Sequence, residues 1–382
     1  MGQYPTRQQF AAIGNGYHSD PSRSLSLRAE AYTDPHWHQV DLQEIIAKTW
    51  QWVCHAEKLR QPGSFIAVEI AGKPIALVRD REGTLRAFYN VCKHRAHKLL
   101  SGEGSAAKIM CPYHAWTYGL DGQLLRAPHT EHLQDFDPKA ISLEPVLVEE
   151  FCGFIFVNLD TTSDSLSAQS GSLESEIRHW APDIDSLTFG HRLTYDIKSN
   201  WKNVVDNFLE CYHCHVAHSD FCDLVDMRSY RSICHGIYSS HCGRSRQAES
   251  RAYRYSDGER ARRFGSWWLW PNLCIEVFPG APNVNIFHHV PVGPEQTRHV
   301  FEFYMQSPVP TPEQEDAIRY IDQVLQAEDI ALVESVQRGL KSRGYDQGRF
   351  IVDADRTDMS EHAVHHFHAL VVEAMARRRE GA

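Results

Sequence analysis

Long hydrophobic runs are missing from this sequence: no window approaches the roughly 18 consecutive apolar residues of a transmembrane helix, so no membrane span is expected. Positive charge is also in short supply. The 39 Lys and Arg face 49 Asp and Glu, a formal charge of −10, whereas a duplex DNA binder needs a basic face. No G-x-G-x-x-G fingerprint occurs, so no nicotinamide or flavin dinucleotide site is expected within the chain. Internal repeats and long low-complexity tracts are absent, and aromatic residues, at 11%, are too plentiful for a disordered chain. The opening MGQYPTRQQF lacks the apolar core of a secretory signal, which reads as a cytoplasmic location. Its loose myristoylation match, Gly2 with Thr6, is interrupted by Pro5 and is set aside.

Histidine is what the sequence has in quantity, 23 residues, together with ten cysteines. In a reducing compartment such cysteines are expected as thiols or metal ligands rather than a disulfide framework. The length of 382 residues suits two or three domains. Residues 1–45 read as mostly helical. Between about 50 and 160, short β-branched and aromatic runs (SFIAVEI, PIALVRD, LRAFYNV, GFIFVNL) are separated by Gly, Pro or Asp turns, with a hairpin expected at Asp121-Gly122. This stretch is expected to be a small all-β unit. TTSDSLSAQSGS then reads as a connector, residues 200–215 as helix, and LCIEVF, VNIFHHV and HVFEFYM as a second set of strands. The tail from Thr311 is helix-rich, with a Thr-Pro start and an acidic first turn.

Two constellations carry chemistry. Cys92-x-His94 and Cys111-x-x-His114 sit in tight loops between extended runs, and such pairs converge on one metal centre. Structural zinc is the simpler reading of four such ligands; a Rieske [2Fe–2S] cluster, two cysteines on one iron and two histidines on the other, is the sharper one. Small or Pro residues at Gly102, Gly104, Pro112 and Gly119 favour the cluster, because donors to the sulfides need close backbone. His97 breaks the pairing symmetry, and Cys54 and Cys152 read as core thiols.

The second is NWKNVVDNFLECYHCHVAHSDF. On a continuous helix Asp206, Glu210 and His213 would share a face. His213 and His218, five apart, would have to bracket a helix end to bind one metal, with His215 as a rival. Cys211 and Cys214 form a C-x-x-C without thioredoxin-like context and read as bystanders. A third, carboxylate ligand completes the facial triad of a non-haem Fe(II) oxygenase. Asp329, on a stripe with Leu325, Leu332 and Val336, is one candidate and the adjacent Glu328 the other; amphipathicity leaves the choice open.

Together these segments resemble the oxygenase (alpha) component of Rieske non-haem iron oxygenases. NWKNVVDNFLECYHC, the Trp-Pro of LWPN, and EDIALVESVQRGLKSRGY followed by SEH are most similar to the carnitine monooxygenase and glycine-betaine or stachydrine demethylase branch. The resemblance implies Cys92, His94, Cys111 and His114 as cluster ligands and His213, His218 and Asp329 as ligands of a mononuclear Fe(II). Glu210 stands where most of the family has a bridging aspartate, and Asp206 is a further catalytic candidate. Ala96 and Ala115 replace common loop glycines, with little effect expected on the cluster.

The implied fold is α+β: an all-β Rieske domain, 46–160, inserted between an N-terminal helical part, 1–45, and the rest of the catalytic domain, 161–382, with a helix-flanked antiparallel sheet of helix-grip, START-like form. The implied enzyme is an O2-dependent monooxygenase, assembled as a homotrimer and supplied with electrons from NAD(P)H through a separate flavin and iron–sulfur reductase. Its preferred substrates are small quaternary ammonium or N-methyl compounds, cleaved at a C–N bond; aromatic-ring or aryl-ether hydroxylation is the alternative. Trp267, Trp268 and Trp270 in FGSWWLWPN are candidates to face a cation.

Overall fold

A computed structural model describes residues 13–377. The N-terminal segment with Gly2, Pro5 and Thr6, and the residues after Arg377, lie outside these residues. Residues 46–168 form one compact unit and the segments before and after them form another.

In the first unit the alternating runs become an antiparallel seven-stranded sheet in the order Gln51–His55, Phe154–Asn158, Pro145–Phe151, Leu85–Tyr89, Lys73–Arg79, Ser64–Ile70, Glu103–Ser105. A smaller sheet joins Ile109–Met110, Thr117–Tyr118 and Leu124–Arg126. Its hairpin turns at Gly122, whose φ of +86° lies in the left-handed region that glycine tolerates without a Cβ clash. Leu99, Ile109, Trp116 and Tyr118 pack with Cys92 and Cys111 into one buried cluster beneath the ligand loops. The Ser-rich run is not all connector. Leu166–Gln169 forms a helical turn because Leu166 is buried and the Glu149 carboxylate accepts from the Leu166 and Ser167 N–H groups at 2.7 and 2.9 Å.

The second unit is built on another antiparallel seven-stranded sheet: Thr188–Ile197, Gln296–Met305, Asn283–Gly293, Leu273–Val277, Arg263–Leu269, Tyr238–Arg244, Arg231–Cys234. From Arg231 onward each strand pairs with its successor, yet the first strand lies at the opposite edge, beside the last. The chain therefore crosses the whole sheet between Ile197 and Arg231, in the short helices Trp201–Phe208, Cys214–Ala217 and Ser219–Leu224. A Thr311–Gln314 capping box starts a long helix: Pro312–Tyr320, a π-helical turn Ile321–Leu325, then Gln326–Leu340. His362–Arg377 is the last helix. Deep in this unit Lys202 and Asp41, each 1% exposed, form an ion pair, and Trp201 Nε1 donates to the same carboxylate at 3.0 Å. Among the described residues no helix is long and apolar enough to cross a membrane.

Candidate metal centres

The crossing segment carries the first centre. Asn200 caps the Trp201–Phe208 helix, its side chain accepting from the Lys202 N–H at 3.0 Å. The helix ends at Phe208, so Asp206, Glu210 and His213 do not ride on one helical face as their spacing implies. Cys211 and Cys214, expected as free thiols, are joined in a disulfide. The turn between them brings their Cα atoms to 4.9 Å, within bridging range. His213 caps the next short helix and His218 follows its end, the bracketing that a five-residue spacing demands.

Their Nε2 atoms lie 3.0 Å apart, and Asp329 Oδ1 lies 3.6 Å from that of His213 and 3.0 Å from that of His218. These ligand atoms all fall within 4.8 Å of one another. The outer nitrogens are occupied: His213 Nδ1 meets Glu210 Oε1 at 2.5 Å, and His218 Nδ1 meets Glu328 Oε2 at 2.8 Å. An ionised carboxylate only accepts, so each Nδ1 donates and each ring is oriented with Nε2 toward the shared point. Burial pushes the His213 imidazole down, but hydrogen bonds to Asp329 and Glu210 outweigh it and raise it to about 10. Burial likewise pushes Asp329 up, and the two imidazoles overcome it, holding the carboxylate at about 2. The site draws positive charge, and two imidazole nitrogens with one carboxylate oxygen fit Fe(II) in kind and number.

The rivals lie elsewhere. His215 Nε2 pairs with Asp358 Oδ2 at 2.6 Å, and Glu328 serves the outer side of His218. The apolar stripe proposed for Asp329 is corrected, since Leu332 and Val336 are exposed. Gln326, Val333 and Gln337, at helical spacing on the other flank of Asp329, form the buried face instead. Asp206 accepts from Tyr32 Oη at 2.7 Å and meets His368 Nε2 at 2.9 Å. His368 Nδ1 accepts from the Leu27 N–H at 3.1 Å, so Nε2 carries the proton and donates to Asp206.

A cavity of about 80 Å³ opens beside the three ligands, walled by Phe221, Tyr230, Phe264 and Phe287. The candidate tryptophans do not line it. Trp267 points to the opposite face of its strand, edge-on to Trp180 and donating to Glu176 at 3.2 Å. Trp268 and Trp270 pack against Phe367 of the last helix, with centroids at 5.5 and 5.9 Å. Phe264 opens the FGSWWLWPN run and Phe221 closes the metal-ligand run, but sequence reasoning singled out neither, and Tyr230 and Phe287 come from other elements.

In the other unit, Cys92 and Cys111 are buried while His94 and His114 are exposed, their rings 4.6 Å apart. The two loops match: Ala96 N–H bonds Cys92 O and Ala115 N–H bonds Cys111 O, both at 3.0 Å. His94 stacks on Trp116 at 4.9 Å, and Tyr118 Oη lies 3.3 Å from Cys92 Sγ. His97 Nδ1 lies 2.5 Å from the Lys98 carbonyl. Two thiols and two imidazoles fit a Rieske cluster by donor set.

Residues 49–137 match the Rieske [2Fe–2S] domain, and residues 184–377 match the ring hydroxylating alpha subunit catalytic domain. The carnitine monooxygenase oxygenase subunit of Escherichia coli (strain K12) is 38% identical, over 93% of this chain and 95% of its own. The chain belongs to the Rieske non-haem iron oxygenases. It is similar also to the chloroplastic choline monooxygenase of Amaranthus tricolor, 31% identical over 88% of this chain and 75% of that one. A solved quaternary ammonium Rieske monooxygenase superposes with a TM-score of 0.86, at 35% identity, covering 94% of this chain and 98% of that one. This Rieske oxygenase is an α+β oxidoreductase that takes a [2Fe–2S] cluster and a mononuclear iron, with electrons from a separate reductase.

Proposed function

We propose that the chain is the oxygenase component of a monooxygenase acting on small quaternary ammonium compounds. The observation that carries this reading is the aromatic-walled cavity beside His213, His218 and Asp329, in a chain whose relatives are named for carnitine and choline. Both compounds bear a trimethylammonium group. Such a nitrogen has neither a proton to donate nor a lone pair, so aromatic faces and negative charge must recognise it.

In this reading Cys92, His94, Cys111 and His114 hold the cluster, and His213, His218 and Asp329 hold the iron. When bound, the cluster supplies electrons and the iron supplies O2 chemistry. Glu210 and Glu328 orient the two imidazoles, and Asp206, held by Tyr32 and His368, anchors the end of the helix that leads to Glu210. The active assembly is a homotrimer in which Glu210 joins its own iron site to the neighbouring subunit's cluster. The Rieske domain spans 46–160, between catalytic segments 1–45 and 161–382, and the reductase draws on NAD(P)H and a flavin. Hydroxylation of a carbon next to nitrogen leaves an adduct that expels the amine and forms a carbonyl, which accounts for C–N cleavage.

The test is a screen of O2 uptake coupled to product formation, using a surrogate reductase, with carnitine, betaines and choline against benzoates and phthalates. Turnover of a quaternary ammonium compound with stoichiometric amine or aldehyde is expected. Turnover of the aromatic acids alone overturns the substrate class in favour of ring or aryl-ether hydroxylation.

A further inference from the structure

The strand Leu273–Val277 is buried along its whole length, and it carries a carboxylate, Glu276, only 3% exposed. Its neighbours across the ladder are Ser266 on one side and Asn285 on the other. The period-two alternation of the sheet puts Glu276 on the face shared with Phe264 and Phe287, and so in the wall of the cavity beside the three metal-ligand candidates. Its Oε2 has no hydrogen-bond partner among the described residues. Among the described residues no Lys or Arg lines that cavity.

A buried carboxylate without a cation is expensive, and burial, opposed by Ser266 and assisted by the Asp329 charge, pushes Glu276 up to about 8. Glutamine or leucine would fill the same volume without that penalty, so packing does not explain an acid at this position. The cavity joins aromatic faces to two carboxylates engaged by the metal-ligand imidazoles, Asp329 and Glu210, and to one that is not so engaged, Glu276. A small molecule with a permanent positive charge satisfies both the aromatic faces and Glu276.

We propose that Glu276 is the counter-charge that selects a quaternary ammonium group in this cavity, distinguishing it from a neutral group of the same shape. The inference rests on the quaternary ammonium reading above and names the residue that enforces it. Aromatic faces enclose any tetrahedral group of methyls, whereas only a charge separates nitrogen from carbon at its centre.

The experiment is calorimetric titration of the anaerobic holoenzyme with two matched pairs. These are choline and γ-butyrobetaine, each against its analogue with carbon in place of the quaternary nitrogen. For the wild type, the better-binding cation is expected to exceed its neutral analogue by about 10- to 100-fold, an ion pair at intermediate dielectric less the free energy of removing the carboxyl proton. Glu276→Gln should bring the two within about threefold by weakening the cation and sparing the analogue. The Rieske spectrum and iron content check folding. Glu276→Leu, which leaves no polar atom to bury, makes the same measurement should the amide variant lose its metals. Full cation preference in either loaded variant overturns the inference alone. Failure of both variants to fold assigns the carboxylate to the framework and also overturns it. Wild-type protein that binds every cation no better than its analogue overturns the quaternary ammonium reading and this inference with it.

Discussion

Replacing Glu328 by glutamine separates an orienting role from a ligating one. Glu328 Oε2 holds His218 Nδ1 at 2.8 Å while Asp329 Oδ1 lies 3.0 Å from Nε2 of the same ring. Loss of such an outer partner typically weakens metal binding about 10- to 100-fold, or about 1.4–2.7 kcal/mol. The Glu328 side chain is 36% exposed against 14% for Glu210, so water can replace much of its hydrogen bond. The low end, about tenfold, is therefore expected for Glu328→Gln. The assay is anaerobic chelator competition for the mononuclear iron, with Rieske absorbance as internal standard; Asp329→Ala should lose that iron at once. Wild-type retention in Glu328→Gln would refute the orienting role. Complete loss in Glu328→Ala with retention in Asp329→Ala would make Glu328 the ligand.

Three further outcomes follow from the same structure. Ala96 and Ala115 sit at φ +57° and +56°, where an L side chain costs about 1–2 kcal/mol, and glycine's extra unfolded-state entropy offsets about 0.4–1 of it. Ala96→Gly and Ala115→Gly should each raise the thermal midpoint of Rieske absorbance; a lower midpoint in both contradicts the strain. Lys202→Met leaves Asp41 buried without its partner and should cost about 3–5 kcal/mol in urea unfolding, most of it recovered by adding Asp41→Leu. If the single variant unfolds like wild type, the pair contributes nothing. Glu210→Gln exchanges the charged acceptor on His213 Nδ1 for a neutral one, so it should weaken the mononuclear iron about tenfold, as at Glu328, yet keep both metals when iron is supplied in excess and lose electron delivery in single turnover. Wild-type rates of cluster oxidation and product formation would remove Glu210 from the electron path.

The inserted β unit was legible because its strands are short period-two runs punctuated by Gly, Pro and Asp, signals that need no tertiary context. His213, His218 and Asp329 were reachable from spacing and from the resemblance, and the structure draws them together. The end of the helix at Phe208 was not, since NVVDNFLECYH contains no Gly or Pro to mark it. Which flank of Asp329 faces inward was not legible either, because apolar Leu332 and Val336 mark the flank that the fold leaves exposed, while the buried flank carries the polar Gln326 and Gln337. FGSWWLWPN drew attention by its aromatic density, but strand parity turns Trp267 away and the last helix covers Trp268 and Trp270. Glu276 was invisible for the opposite reason: one acid among LCIEV looks like an ordinary solvent-facing position, and only the covered second face of the sheet makes it costly.

The positions of the orienting carboxylates explain how the crossing segment and one turn of the Gln326–Leu340 helix can build so charged a site. Glu210 lies three residues before His213, and Glu328 immediately before Asp329, so the backbone that fixes a ligand also delivers a partner to an imidazole. A divalent cation at the three ligands faces Asp329, Glu210 and Glu328, three carboxylates against two positive charges. Of these only Asp329 and Glu210 line the cavity, so a divalent cation neutralises its lining, and Glu276 supplies the net negative charge when it ionises. A cationic methyl group approaching the iron relieves that excess, whereas an aromatic carboxylate would increase it behind walls that screen poorly. Sign, more than shape, is what this site offers to tell the two substrate classes apart.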